Sequence, residues 1–286
     1  MSSAPKDRVL RALTTDGGFR VIAASTTRTV QGAITAQKAP FPAAETFADL
    51  LTSAILFRES MSPEFRVQVI MQASDQRSRL VADALPGGIT RGLVTLAEGL
   101  RAMPVGPNGV LQVQRTMANG EVHTGVVSLP EDGDVSRAMM RYMQESEQIV
   151  TMVTVGCHIE NGVVVSAGGL LLQLLPEVER QKLMVMTERM EDFRDIHPLL
   201  AQGKADPKTL IDETFWGMEY VQTSESELDF GCHCSPARLA ASLSTLPKSE
   251  IEDMIAAGAP LEITCQFCGT EYKFHPEQLR GMLVSH

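Results

Sequence analysis

"FGCHCSPARL" at residues 230–239 and "ITCQFCGTEYKF" at residues 263–274 contain four of the chain's five cysteines, one pair in a CxC spacing and the other in CxxC. Those spacings decide how the chain divides. Thiolates bind zinc tetrahedrally at about 2.3 Å, and four from two short knuckles leave no open position for a substrate. Cys232, Cys234, Cys265 and Cys268 are therefore expected to hold one Zn2+ per chain. The 30 residues between Cys234 and Cys265 include "SPARLAASL" and "PKSEIEDMIAAG". Both read as short helices with a proline near the start, where a missing N–H costs no helical hydrogen bond.

Residues 223–286 are too few to bury much apolar surface, so a small C-terminal domain here needs a staple. Structural zinc contributes apparent binding energies of about 10–16 kcal/mol, as large as the ~5–15 kcal/mol stability of a whole domain. The CxC pair can close only a small, strained disulfide ring, and strained disulfides are the labile kind. A metal site made of such thiols can also be a switch. His233 lies between two ligands, but four cysteines already satisfy zinc, so it is expected outside the site. Cys157, in the apparent strand "VTMVTVGCHI", reads as a buried inert thiol, and His123, His158 and His275 as structural.

Upstream, residues 19–175 read as a mixed α/β domain. In "EFRVQVIMQ", Phe65, Val67, Val69 and Met71 alternate with Arg66, Gln68 and Gln72, the period of a half-buried strand. "GVLQVQRTM" and "EVHTGVVSL" flank Asn119-Gly120, the signal of a two-residue hairpin. Phe47, Leu50, Leu51, Ala54 and Ile55 recur at helical spacing, and a second helix in "DVSRAMMRYMQESEQ" is favoured by Asp134 at its start. Both apolar stripes are expected to be core.

From Pro176 the character changes. "PEVERQKLMVMTERMEDFRDI" reads as a helix with Pro176 in its first turn and acids behind it. Leu183, Met186, Met190 and Phe193 form one apolar stripe on a heavily charged helix, and "HPLLAQGKADP" interrupts it. The expected fold is thus α+β: a mixed α/β domain with a large sheet at 1–175, a helical linker at 176–222 and a small zinc-binding domain at 223–286.

Composition bounds the function. Twenty-five Lys and Arg against 35 Asp and Glu give a formal net charge of -10, which repels polyanions and argues against nucleic acid or an anionic membrane as partner. The N-terminus carries Lys6, Asp7, Arg8 and Arg11 where a secretory signal needs an apolar run. The most apolar segment, residues 163–176, falls short of the ~20 residues that span a bilayer. The cytoplasm is expected, where thiols stay reduced and clustered cysteines point to a metal or redox site. No P-loop, nucleophile elbow or dinucleotide turn suggests an enzyme.

The motifs "CHC" followed by Ser235, "CQFCGTEYKF", "SEQIVT" at 146–151, "GVVSL" and "AGGLLLQLLP" at 167–176 resemble those of the thirty-three-kilodalton heat-shock protein family. These are redox-regulated bacterial holdase chaperones, and the similarity covers most of the chain. The resemblance implies that zinc keeps the reduced protein inactive. It further implies that oxidant with unfolding stress forms the disulfides Cys232–Cys234 and Cys265–Cys268 and releases the metal. The linker then loses its support and exposes apolar surface to unfolding client proteins, without ATP. Leu183, Met184, Met186, Met190 and Phe193 are the candidate client-binding residues; in the reduced state they are expected to pack on the N-terminal domain. A homodimer when oxidised is also implied. The rival readings are a zinc-dependent protein-interaction or transcription-related module and, third, a disulfide oxidoreductase.

Overall fold

The period-two pattern of residues 66–72 becomes a strand with one side closed to water. Val67, Val69 and Met71 are at most 1% exposed, while Arg66, Gln68 and Gln72 stay half-buried. The computed structural model describes residues 6–176, 178–203 and 206–284. The expected domains include residues 1–5, 177, 204–205 and 285–286, which lie outside the described residues. Two compact units are present, Met1–Phe230 and Gly231–His286.

The larger unit is built on a ten-stranded sheet. Its first elements are β1 (Asp7–Thr14), β2 (Phe19–Ser25), α1 (Thr27–Gln37) and α2 (Ala43–Glu59). Five strands follow, β3 (Arg66–Gln72), β4 (Arg79–Ala84), β5 (Ile89–Thr95), β6 (Val110–Thr116) and β7 (Val122–Ser128), with β6 returning to pair with β3. Then come α3 (Val135–Tyr142), β8 (Thr151–Glu160) and β9 (Val163–Leu174). Three helices, α4 (Arg180–Asp192), α5 (His197–Ala201) and α6 (Pro207–Thr214), lead into the last strand, β10 (Tyr220–Phe230). The strand order is β7-β6-β3-β4-β5-β10-β1-β2-β9-β8. Every pairing in it is antiparallel except that of β10 with β5.

The helical stripe of α2 is the centre of the core. Phe47, Leu50, Leu51, Ala54 and Ile55 are all at most 1% exposed and pack with Val9, Ile22, Val69 and Leu171 from both halves of the sheet. Burying each such side chain is worth roughly 1.5–3 kcal/mol. Asp134 caps α3 as expected: its side chain accepts the Arg137 backbone N–H at 2.6 Å, filling one of the orphan donors of the first turn.

Two local expectations are corrected. The β6–β7 ladder continues through Met117 N–H to Glu121 O (2.9 Å), so Asn119 and Gly120 lie in a three-residue loop. Gly120 takes the left-handed backbone there (φ 85°), a conformation free of steric cost only for glycine. The linker helix starts at Arg180, not Pro176. Leu175 N–H is held by Gly18 O and Val178 N–H by Leu175 O, so the chain turns off β9 before it can coil.

The linker helices cover the sheet face opposite α2. Met186, Met190, Phe193, Ile196, Leu210 and Phe215 bury themselves against Leu10, Phe19, Val21, Leu170 and Leu172. β10 then enters the middle of the sheet between β1 and β5, so residues 223–230 belong to the large sheet and the boundary lies at Phe230–Gly231, not at 223. Seven consecutive residues of it, Val221–Glu227, are exposed or half-exposed. Its place is set by backbone pairing, from Thr14 with Tyr220 to Asp7 with Leu228.

Candidate metal centre

The smaller unit comprises α7 (Pro236–Leu243), α8 (Lys248–Ala256), β11 (Leu261–Thr264), β12 (Glu271–Phe274) and α9 (Pro276–Val284). Its core has only four buried apolar side chains among the described residues, Leu243, Ile251, Phe274 and Leu279. That is little for a free-standing fold.

Both cysteine pairs sit where the local backbone is pinned. Cys232 and Cys234 lead into α7, which Ser235 caps by accepting the Arg238 N–H at 3.2 Å, with Pro236 at the first helical position. Cys265 and Cys268 form the tip of the β11–β12 hairpin. Cys265 N–H donates to Thr270 O (2.9 Å), Gly269 N–H donates to Cys265 O (2.8 Å), and Gly269 has φ 73°. A side chain at that position would meet the usual left-handed penalty.

The four sulfurs converge. Cys232 Sγ lies 3.7 Å from Cys265 Sγ and Cys234 Sγ lies 3.3 Å from Cys268 Sγ, and all four are within 4.8 Å of one another. Four ligands at about 2.3 Å from a zinc centre stand about 3.8 Å apart along a tetrahedron's edges. A disulfide would need about 2.05 Å. The four cysteines form no disulfide, and their half-buried sulfurs are spaced for a tetrahedral ion. Among the described residues no other group of three or more His, Cys, Asp or Glu side chains is so arranged. His233 is exposed and outside the set.

The electrostatics also call for a cation. Burial and the neighbouring sulfurs push the Cys234 thiol up to about 12, against the pull of the Tyr272 hydroxyl, which donates to Cys234 Sγ at 3.1 Å. Burial likewise raises Cys265. At Cys268 burial opposes ionisation, but hydrogen bonds from the Thr270 side chain and backbone and from the neighbouring thiols outweigh it, bringing that group down to about 7. Cys268 ionises near neutrality, while Cys234 and Cys265 resist. A bound divalent cation removes that conflict by holding all four as thiolates.

Thr270 and Tyr272 are site residues that the sequence expectations omitted. Their signal was present: Cys268, Thr270 and Tyr272 fall at period two, which puts alternate residues on one side of an extended chain. Cys157 is 3% exposed in β8, and burial raises its thiol; it plays no part in the cluster. His123 and His158 sit beside Glu121 and Glu160, and His275 N–H donates to Gln278 Oε1 at 2.9 Å. On α4, Met186 and Met190 are buried, as is Phe193 at its C-cap, while Leu183 is half-buried and Met184 is 65% exposed. A cavity of about 330 Å³ runs between that helix and the sheet, lined by Leu183, Met186, Met190, Phe19 and Leu172.

Comparison with known proteins gives a consistent result. The family described as Hsp33 protein matches residues 7–275. A protein named 33 kDa chaperonin from Syntrophotalea carbinolica is 29% identical, covering 98% of this chain and 100% of its own. One of the same name from Gloeothece citriformis is 30% identical over 97% of both. The crystal structure of the 33 kDa chaperonin from Thermotoga maritima superimposes with a TM-score of 0.83 at 22% identity, covering 98% of this chain and 99% of that one, which shows a shared fold.

Proposed function

The chain belongs to the Hsp33 family, and from that premise we propose that it is a redox-regulated, ATP-independent holdase, silent when reduced and active after oxidation. The observation that carries this is the convergence of Cys232, Cys234, Cys265 and Cys268 in a unit with four buried apolar side chains. Zinc, when bound there, holds the sulfurs as thiolates and closes the fold of the unit.

Oxidation acts on the protein's own sulfurs. With hydrogen peroxide as oxidant, a thiolate attacks the peroxide oxygen to give a sulfenic acid and one water after protonation; a second thiol then displaces the sulfenic oxygen as another water, leaving the disulfide. Each disulfide consumes one peroxide and removes two electrons and two protons from the pair. We assign the pairs as Cys232–Cys234 and Cys265–Cys268. A disulfide sulfur is no longer a thiolate donor, so the ligand set is lost and the small unit loosens.

The path to the linker follows chain connectivity. Cys232 is two residues beyond the end of β10, and β10 is stitched to β5 by two residue pairs at that same end, Asp229 with Ile89 and Phe230 with Thr90. Loosening at Gly231 frays that seam first. The linker segment between β9 and β10, residues 176–219, then releases Met186, Met190 and Phe193 together with the sheet residues they cover, such as Phe19 and Leu172. Both surfaces are offered to unfolding clients, with Leu183 and the exposed Met184 beside them; methionine adapts to irregular partners. The oxidised form is a homodimer, and the protein works in the cytoplasm. No helix among the described residues is long and apolar enough to cross a membrane.

The test is paired. Released zinc and lost thiols are titrated during peroxide or hypochlorite treatment, and light scattering of a heat-denaturing client is followed at each point. Protection is expected to rise with zinc release; release without protection rejects the chaperone mechanism.

A further inference from the structure

Away from the cysteines, the larger unit draws three guanidinium groups into one cavity of about 540 Å³. Arg11 comes from β1, Arg20 from β2 and Arg58 from the last turn of α2, with Ser60, Ser224 and Ser226 completing the polar wall. The β1–β10 register pairs Arg11 with Ser224, which sets both on the sheet face that α2 covers.

One carboxylate serves two of these cations. Glu59, 3% exposed, receives Arg58 Nη1 at 2.6 Å and the Arg11 guanidinium. Arg20 forms no ion pair among the described residues: it donates to Gln173 Oε1 (2.8 Å) and to Ser60 O (3.3 Å), both neutral acceptors. Glu227 also lines the cavity, but its carboxylate is engaged by Lys6 at 2.7 Å. Three positive charges thus face one negative charge, in a chain whose net charge is -10.

That surplus is costly where it lies. Arg58 is 5% exposed. Burial pulls all three arginines below their ordinary pKa, and at Arg11 the nearby Arg58 and Arg20 add to it. The arginines do cap carbonyls at the end of α2: Arg11 Nε donates to Glu59 O (2.8 Å), and Arg20 and Arg58 reach Ser60 O and Pro63 O. Capping explains the placement of the side chains, since cations suit a helix C-terminus. It does not neutralise two full charges.

We propose that this cavity binds a small anion carrying two or more phosphoryl groups. Planar guanidinium forks match phosphoryl oxygens bidentately, and a diphosphate supplies the negative charge the cluster lacks. The Ser224 and Ser226 hydroxyls, which accept from Arg11 Nη1 at 3.0 and 3.3 Å, can donate their own hydrogens to it. The volume lies in the range of small-molecule sites and exceeds what a single phosphate fills. The chain's net charge of -10 discriminates against long polyanions.

Calorimetric titration of the reduced, zinc-loaded full chain with pyrophosphate at low ionic strength tests this. Saturable one-to-one binding is expected. Arg20→Gln should weaken it about tenfold or more, the loss of charge-assisted hydrogen bonds, and Arg20→Lys should recover part. Glu59→Gln, which removes the competing carboxylate, should tighten binding; if that variant fails to fold, Arg20→Gln decides alone. No saturable binding to the wild type, or equal binding by Arg20→Gln, overturns the proposal. Sulfate competing as well as pyrophosphate also overturns it, because the cavity would then read charge alone.

Discussion

Tyr272 donates its phenolic hydrogen to Cys234 Sγ across 3.1 Å, from the strand that begins three residues beyond Cys268 to the knuckle before α7. The bond joins the two cysteine motifs without a metal, and it raises the Tyr272 hydroxyl to about 12. Partners of this kind orient a ligand and stabilise its charged form.

Tyr272→Phe removes that bond while keeping the ring. Zinc affinity is expected to fall about tenfold, within the range for loss of a partner to a metal ligand. Competition with a chromogenic chelator under reducing conditions measures it; an unchanged affinity means that Tyr272 does not support the site.

Cys265→Ser combined with Cys268→Ser leaves two thiolates where four are needed. The variant should carry little zinc, and residues 231–286 should become protease-sensitive even in reductant. The larger unit has its own core around α2 and should resist. An unchanged cleavage pattern contradicts the view that the metal holds the small unit together.

Phe193→Ala cuts a 6%-exposed anchor out of the cluster that docks the linker helices. Truncating a buried Phe costs about 3–5 kcal/mol, so α4–α6 should loosen first. Hydrogen exchange should accelerate in residues 180–214 and stay slow in β3 and β4, with client protection appearing at lower oxidant doses. Exchange rising equally across the sheet would mean that the linker is not a separable element.

Asp49 contributes a pH dependence of its own. Its Oδ1 is closed to solvent and has no hydrogen-bond partner, and burial, with Asp134 and Glu45 nearby, raises its pKa well above the ordinary carboxylate value. A raised folded-state pKa means the favourable contribution is complete below the unfolded value of about 3.9 and is lost as pH climbs through the folded value. Asp49→Asn should therefore be more stable than wild type at neutral pH and less sensitive to pH above about 4. Urea midpoints measured across that window check it; parallel curves for the two proteins would show that Asp49 is not the titrating group.

Several elements were legible residue by residue because their burial pattern repeats within a few positions. Val67, Val69 and Met71 declare a strand, and the Phe47 to Ile55 stripe declares a helix, because one face of each must leave water. Asp134 marks a helix start through its own side chain. Pro176 misled, since a proline suits a turn as well as a first helical turn, and the backbone bonds of Leu175 and Val178 chose the turn.

The amino-acid sequence by itself determined the candidate ligand set, four thiols at CxC and CxxC spacing in a tail too short to bury much apolar surface, because spacing and length are local properties of the chain. Tertiary structure alone decided that β10, polar along most of its length, lies between β1 and β5 and brings the chain to Cys232 from the middle of the large sheet. It also decided that Arg11, Arg20 and Arg58 share one cavity. Strand order and such meetings arise from long-range backbone pairing, and the side-chain period of a strand does not say which strand lies beside it.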